Sequence, residues 1–596
     1  MQLIPLSSHL RIVILLLALV PVMIFAYLGQ FSRLMSDDYC TTYIGNEQGI
    51  ISGMQYWYNT WAGAYTNFLI KSALAQLDVS SASLLPILII CCWLAGAFYL
   101  TYQLLNLIKL NHYMVFGSAL FSLSFVYVTM NGLYSPQSFY WLAASIPNTI
   151  GIGLLMMLVA FCIQVHQADT QTPIKVMSIA MVLVLSFVVA GFSYVYVSVQ
   201  AYVFAILILA IGLFHRALLK RLITVLFASG LLGSILSLIV QLTSPGIDVR
   251  LATESESLTR ISLPLTDIIS RAFEAFTIIL SSPTVLSGFV ILFLLALIAT
   301  LSTSQVSDQS RKIHRPLIIT WSQLMWFCIH LMFLPLLWNH SSDATTILNR
   351  FSVSYFMVII ANLLFLAVSF LAFYIKPFNK LVTSTHWKIL VPLFLIGIFV
   401  VKQIFSIDNL ASSYLTLSWG GLLFALLLLH SHDHLKIDIA YLIGSTVAVI
   451  GLSLAIVGAV TYSLSFVPLR TLTFASATFV LLGVIWGIAF GRVVIANTIN
   501  INLNRYVVLA CLAIMLLTFQ IVIQQSSQIS QFSSYAQSWD ARHADILAQA
   551  RAGADIVTVN QLGFDLADEI KIVNLSQDPA NRCAKQYYDI DDLVVD

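Results

Sequence analysis

Apolar runs of about 20 residues recur along almost the whole chain, and this recurrence constrains the fold more than any other feature. A run of that length spans the hydrocarbon of a bilayer, where the backbone must satisfy its own hydrogen bonds, so each run reads as a helix. The runs fall at roughly 11–30, 84–108, 113–130, 148–166, 174–191, 197–215, 220–242, 284–303, 317–338, 352–374, 388–405, 414–431, 438–462, 471–490 and 506–524. The stretch from Ile174 to Arg216 is too long for one span, and Gly191-Phe-Ser-Tyr is its expected break. The expected fold is therefore an all-α polytopic membrane protein with about 13–15 transmembrane helices.

Composition agrees. The 596 residues are 59% hydrophobic and only 9% charged, against roughly one quarter charged in soluble domains, so a soluble reading fails. A net charge of +2 without a long basic run or a basic patch interleaved with aromatics argues against a nucleic-acid partner. The first run begins with Arg11 but is too long for a secretory leader and lacks a small-x-small cleavage site, so a retained anchor is expected.

Charge sets the sidedness. Arg11, Lys109, Lys175, Arg216, Lys220, Arg221, Arg311, Lys312, Arg315, Lys376, Lys380, Lys388, Lys436, Arg492 and Arg505 all fall on one side of the alternating threading, which the positive-inside rule makes cytoplasmic. The other side receives the loop 31–83, the loop 243–283 and the tail 525–596, leaving 1–524 as the membrane domain. Its long loops point to work on the outer face, because long connections in compact bundles tend to carry function. The first loop holds Tyr56, Trp57, Tyr58, Trp61, Tyr65 and Phe68, spaced for helices lying at the interface. Their first reading is an aromatic belt, with sugar stacking as the alternative. In the tail, 538–553 reads as a helix ending at Gly553 and Ile556-Val-Thr-Val as a strand, together a small α/β element. Of the seven cysteines, only Cys40 and Cys583 fall in outer segments, which leaves a disulfide between them open.

Asp37 and Asp38 sit side by side just past the first span. Taken alone they read as a solvated loop start, affordable because the cost of charge falls toward the interface. Scattered outer cations change that picture: Arg33, Lys71, Arg250, Arg260, Arg271, Arg350, Lys402 and Arg470 each need a local reason to stand against the positive-inside bias. Arg250, after Ser244-Pro-Gly, and Arg350, after Trp338-Asn-His-Ser-Ser-Asp, are candidates for phosphate, which the guanidinium fork suits. Snorkelling or pairing with Asp248 or Asp343 competes with that role. The loop 134–148 adds Tyr140, Trp141 and Asn148, rings and amides suited to a hydroxylated ligand, or to anchoring at the interface. His430-Ser-His-Asp-His is read as a solvated cytoplasmic turn rather than a metal site. Walker, GxGxxG, GxSxG and HExxH patterns do not occur in a usable context, which removes nucleotide hydrolysis, dinucleotide chemistry and common hydrolases.

Ser36-Asp37-Asp38-Tyr39, Ser138-Phe-Tyr-Trp with Asn148, Ser244-Pro-Gly with Arg250, Arg350, and a tail ending in Cys583 and Tyr587-Tyr588 together resemble the GT-C superfamily of membrane glycosyltransferases. Within it the chain is similar to an uncharacterised bacterial multi-pass family related to lipid-linked-glucose and protein-mannosyl transferases. It departs from that family at Gly191-Phe-Ser-Tyr194, where an acid is common, and at Ile247, where an Asn is common.

The resemblance implies inverting transfer of a hexose from a polyprenyl-phosphate carrier to an envelope glycan, lipid or protein on the outer face of the bacterial cytoplasmic membrane. It makes Asp37 and Asp38 the catalytic pair, with Asp37, nearer the span, preferred as base. It also makes Arg250 and Arg350 ligands of the donor phosphate, and Tyr39, Tyr140, Trp141, Asn148 and His340 substrate contacts. No cofactor is required, and a divalent cation, Mg or Mn, is left open. Adjacent side chains diverge by about 100° on a helix, so the two carboxylates are not expected to meet one hydroxyl. The competing expectations are a transporter or flippase of lipid-linked sugars, a polysaccharide polymerase or ligase, and a non-catalytic scaffold.

Overall fold

A computed structural model describes residues 8–107, 114–132, 136–168, 171–214, 221–253, 278–279, 282–302, 448, 451–452, 456, 470, 472–497, 503–560, 562 and 579–595. Ten of the expected spans appear there as helices: α1 (Ser8–Gly29), α5 (Ser80–Leu107), α6 (Met114–Met130), α8 (Gly151–Gln167), α9 (Thr172–Ala190), α10 (Tyr194–Phe214), α11 (Leu222–Leu242), α13 (Pro283–Ser302), α14 (Leu472–Asn497) and α15 (Leu503–Ser527). Seven helical runs are long and apolar enough to cross a membrane among the described residues, which makes this an all-α polytopic protein. The spans expected at 317–338, 352–374, 388–405 and 414–431, most of 438–462, and the His430 segment lie outside the described residues. Between α9 and α10 the helix stops at Ala190 and restarts at Tyr194, the break expected at Gly191.

These helices are apolar all round, as lipid-facing helices are, so packing between them relies on close approach rather than on an amphipathic stripe. Gly96 on α5 and Gly153 on α8 show how: a Cβ added at Gly96 would fall well inside contact distance of the Gly153 carbonyl oxygen. The Gly96→Ala protein is expected to lose about 1–3 kcal/mol of stability, visible as a lower unfolding temperature in detergent, because the two backbones must separate. A wild-type melting curve would remove Gly96 from the packing argument.

The loop between α1 and α5 folds as three helices, α2 (Asp38–Gln48), α3 (Ile50–Thr60) and α4 (Tyr65–Ala75). Its aromatics mostly pack inward. Trp57 stacks on Phe68 with centroids 5.5 Å apart, Tyr58 donates to the Val240 carbonyl at 2.9 Å, and Tyr65 donates to the Phe187 carbonyl at 2.6 Å. They tie the loop to the ends of α9 and α11, as an anchoring belt would.

The segment after α6, expected at the outer face with rings and amides for a hydroxylated ligand or for anchoring, is largely buried over its described residues. Pro136–Tyr140 and Ile146–Ile150 are π-helical turns flanking the short helix α7 (Leu142–Ser145), and Gln137 through Ile146 have almost no exposed surface. Its rings and small residues suit a packed environment better than a solvated one, and π-helical turns are frequent near functional sites.

Beyond α15, α16 (Ile529–Arg551) begins well before the expected residue 538 and ends near Gly553, whose φ of +82° closes the turn. Strand β1 (Ile556–Val559) pairs in parallel with β2 (Asp592–Val595), and α17 (Pro579–Tyr588) precedes β2.

Candidate functional site

Helix α2 starts at the acidic pair. Carboxylates are favoured there because the first turn of a helix presents unpaired N–H groups and positive dipole. Asp37 is the cap residue, yet its side chain makes no capping hydrogen bond, so its carboxylate is not consumed by the helix. Before it, Ser36 adopts φ +47°, a left-handed conformation costing about 1 kcal/mol for a residue with a Cβ. Strain of this kind persists where the surroundings hold it, and it is common at functional sites.

The two carboxylates have different fates. Asp38 is fully buried, and both of its oxygens are committed: Oδ2 accepts from the Met35 N–H at 3.0 Å and Oδ1 from the Ala143 N–H at 2.7 Å. Asp38 thus staples the start of α2 to α7. Asp37 keeps exposed surface, and burial by the surrounding protein still weighs on its carboxyl. The divergence expected for neighbouring residues is realised.

Electrostatics single out two cations. Burial pushes the Asp37 carboxyl above its ordinary range, while the charges of Lys71 and Arg470 pull it back. Burial also raises Asp38, well above its ordinary range, with the Asp37 charge adding to it and the Met35 N–H, Lys71 and the Ala143 N–H opposing. Lys71 is almost fully buried on α4, and burial lowers its pKa against the pull of Asp37 and Asp38. No direct ion pair joins Lys71 to either carboxylate among the described residues, so the charges interact across a gap. The ammonium lies 5.6 Å from the Phe68 ring centre, and the Arg470 guanidinium lies 5.0 Å from that of Trp141. The Arg470 carbonyl accepts from Ser138 Oγ at 3.3 Å, tying residue 470 to the first π-helical turn.

The remaining expected site residues separate by location. Tyr39 is 1% exposed, its hydroxyl accepting from Trp539 Nε1 at 3.1 Å. Tyr140 is also buried and donates to the Phe25 carbonyl at 3.1 Å, and Asn148 donates to the Ala144 carbonyl at 2.8 Å. Trp141 carries Arg470 on its ring and precedes by two residues Ala143, whose N–H Asp38 accepts. Arg250, on α12 (Pro245–Thr253), stands over the Trp61 ring at 4.9 Å, where α12 packs on α3; among the described residues the cations acting on Asp37 are Lys71 and Arg470. Arg350 and His340 lie outside the described residues.

Lys71 and Arg470 belong to the scattered outer cations legible in the sequence, although nothing there ranked them above Arg250 and Arg350. Buried Gln137 was missed as well; neither end of its amide has a hydrogen-bond partner. As for a metal, each Asp38 oxygen already accepts one backbone N–H. Among the described residues no group of three His, Cys, Asp or Glu side chains is placed to hold one.

The tail closes over the pair from the other side. Cys40 and Cys583 form a disulfide, and Arg33 meets Asp540 through two hydrogen bonds of 2.6 and 2.8 Å. The arrangement has the parts for a proton-transfer step next to an anion: one accessible carboxylate and two cations, Lys71 and Arg470, whose charges act on it. Comparison with known proteins finds no matching family model, no similar curated protein and no similar solved structure.

Proposed function

We propose that this chain is a membrane glycosyltransferase of the GT-C type. It moves a hexose from a polyprenyl-phosphate carrier to an envelope glycan, lipid or protein acceptor, with Asp37 as general base. The observation that carries the reading is the accessible Asp37 carboxylate just past the end of a membrane helix, coupled to Lys71 and Arg470 without touching Lys71.

In the reaction, the acceptor hydroxyl gives its proton to Asp37 while its oxygen attacks the anomeric carbon from the face opposite the phosphate. The bond from that carbon to the phosphate oxygen breaks, and the electron pair leaves with the phosphate. Lys71 and Arg470 stabilise the developing negative charge, and preorganised cations in a desolvated site are effective in this role. Asp38 orients the helix that carries the base. Trp141, with Arg470 on its ring, offers a face for the sugar.

Redox chemistry supports the proposed sidedness. The Cys40–Cys583 disulfide belongs to an oxidising compartment, which supports placing the acidic pair and the tail outside the cytoplasm and the N-terminus within it, in a bacterial cytoplasmic membrane.

The test is transfer of label from radiolabelled polyprenyl-phosphate hexoses to envelope extract by the purified protein; absence of transfer from every hexose tried would sink the reading. The same assay has an expected pH profile. A base must be ionised, and Asp37 is held above the ordinary carboxylate range, so the rate rises with pH through a midpoint above that of an ordinary aspartate. Removing a cation that lowers this pKa moves the midpoint up, so Lys71→Gln is expected to shift the acid limb to higher pH and to weaken donor binding. A limb that stays in place would detach Lys71 from the base.

A further inference from the structure

We infer that the C-terminal tail is a positioning clamp for the acidic pair: its described parts, residues 529–560 and 579–595, grip the chain on both sides of Asp37 and thereby set where its carboxylate points. This rests on the reading of Asp37 as the working carboxylate. Asp37 makes no capping hydrogen bond of its own, so its direction is set by the backbone at 36–38, including the left-handed Ser36. That backbone is held by its neighbours, and the tail holds the neighbours.

On the N-terminal side, Arg33 is bound by both oxygens of Asp540, and the Leu34 carbonyl accepts from Trp539 Nε1 at 3.0 Å. On the C-terminal side, the same indole N–H reaches the Tyr39 hydroxyl at 3.1 Å, and Cys40 is bonded to Cys583. One buried indole therefore bridges residues that flank the acidic pair. Its ring is fixed in turn, because His543 stacks on Trp539 at 4.8 Å and pairs with the Tyr588 hydroxyl at 2.8 Å. Tyr39 packs against Tyr587 and Tyr588 with centroids 5.3 and 5.8 Å away, which closes the ring of contacts.

Two further contacts tie the tail to the rest of the site. Tyr587 donates to Asp78 at 2.6 Å, at the far end of the first loop, and Phe532 meets the Tyr140 ring edge-on at 5.2 Å. The bundle fixes Asp38 through Ala143, whereas the turn that aims Asp37 is gripped from the tail.

The experiment labels carboxyls with a water-soluble carbodiimide and an amine, using the full-length protein in detergent, and reads Asp37 and Asp38 separately by mass spectrometry as a function of pH. Two perturbations are compared with the untreated protein. One is reduction of the folded chain with a phosphine, which opens Cys40–Cys583 without asking a variant to fold. The other is Trp539→Phe, which deletes the indole N–H and keeps an aromatic ring.

Asp38 starts protected, and losing one buried hydrogen bond to its turn is expected to raise its labelling about fivefold. The pH midpoint of Asp37 labelling is expected to fall toward the ordinary carboxylate value as its desolvated setting among Asp38, Lys71 and Arg470 loosens. A role confined to overall stability would not move that midpoint in a chain still folded by circular dichroism. Unchanged Asp38 protection together with an unchanged Asp37 midpoint in both arms would overturn the clamp. None of these readouts requires sugar transfer, so a moving midpoint without any transferase activity would keep the clamp and remove the glycosyltransferase reading.

Discussion

The Asp37→Asn protein is expected to transfer sugar about 10²–10⁴-fold more slowly than wild type while melting at the same temperature. The rate loss follows because an amide does not accept the acceptor's proton, and Lys71 and Arg470 supply positive charge but no base. The unchanged melting follows from geometry: the Asp37 side chain is exposed and makes no capping hydrogen bond, so asparagine removes no helix cap there. Asparagine also removes a carboxylate that burial disfavours. Wild-type transfer by this variant would end the assignment of Asp37, and a large drop in melting temperature would mean that the side chain has a structural partner.

Asp38→Asn is expected to behave in the opposite way, costing about 1–3 kcal/mol of stability. An amide has one accepting oxygen, whereas Met35 and Ala143 both present N–H groups, so one donor loses its partner and faces a second donor. Relief of a buried charge next to Asp37 offsets part of that cost, which keeps the figure below the full penalty of breaking a charged contact. Thermal unfolding in detergent measures the loss. Transfer by the fraction that remains folded should fall much less than in Asp37→Asn. A variant that melts like wild type but loses transfer as completely as Asp37→Asn would reverse the roles of the two residues.

Much of the helical scaffold was legible beforehand, and the acidic pair was located correctly as a place where two carboxylates leave the first span. The pair's internal division was legible only as a divergence of side chains. Which carboxylate stays accessible depends on Ala143, whose contribution is a backbone N–H that every residue but proline carries. The burial of the 134–148 segment was not legible for a related reason: its polar side chains pair with backbone carbonyls one turn back, as Asn148 does and as Thr149 does just beyond it, and backbone carbonyls leave no mark in the sequence.

The sequence by itself determined the membrane helices, the break at Gly191 and the grouping of aromatics in the first loop. These follow from constraints acting within one segment: lipid leaves the backbone no partner but itself, and a span has a set length. Only the tertiary structure decided that Lys71 and Arg470 are, among the described residues, the cations acting on Asp37, that Asp38 is a staple, and that Trp539 and Cys583 reach across some five hundred residues to the same turn. Such pairings leave no local periodicity, because their energy comes from groups brought together by helix packing, and any one of them looks ordinary in its own stretch of chain.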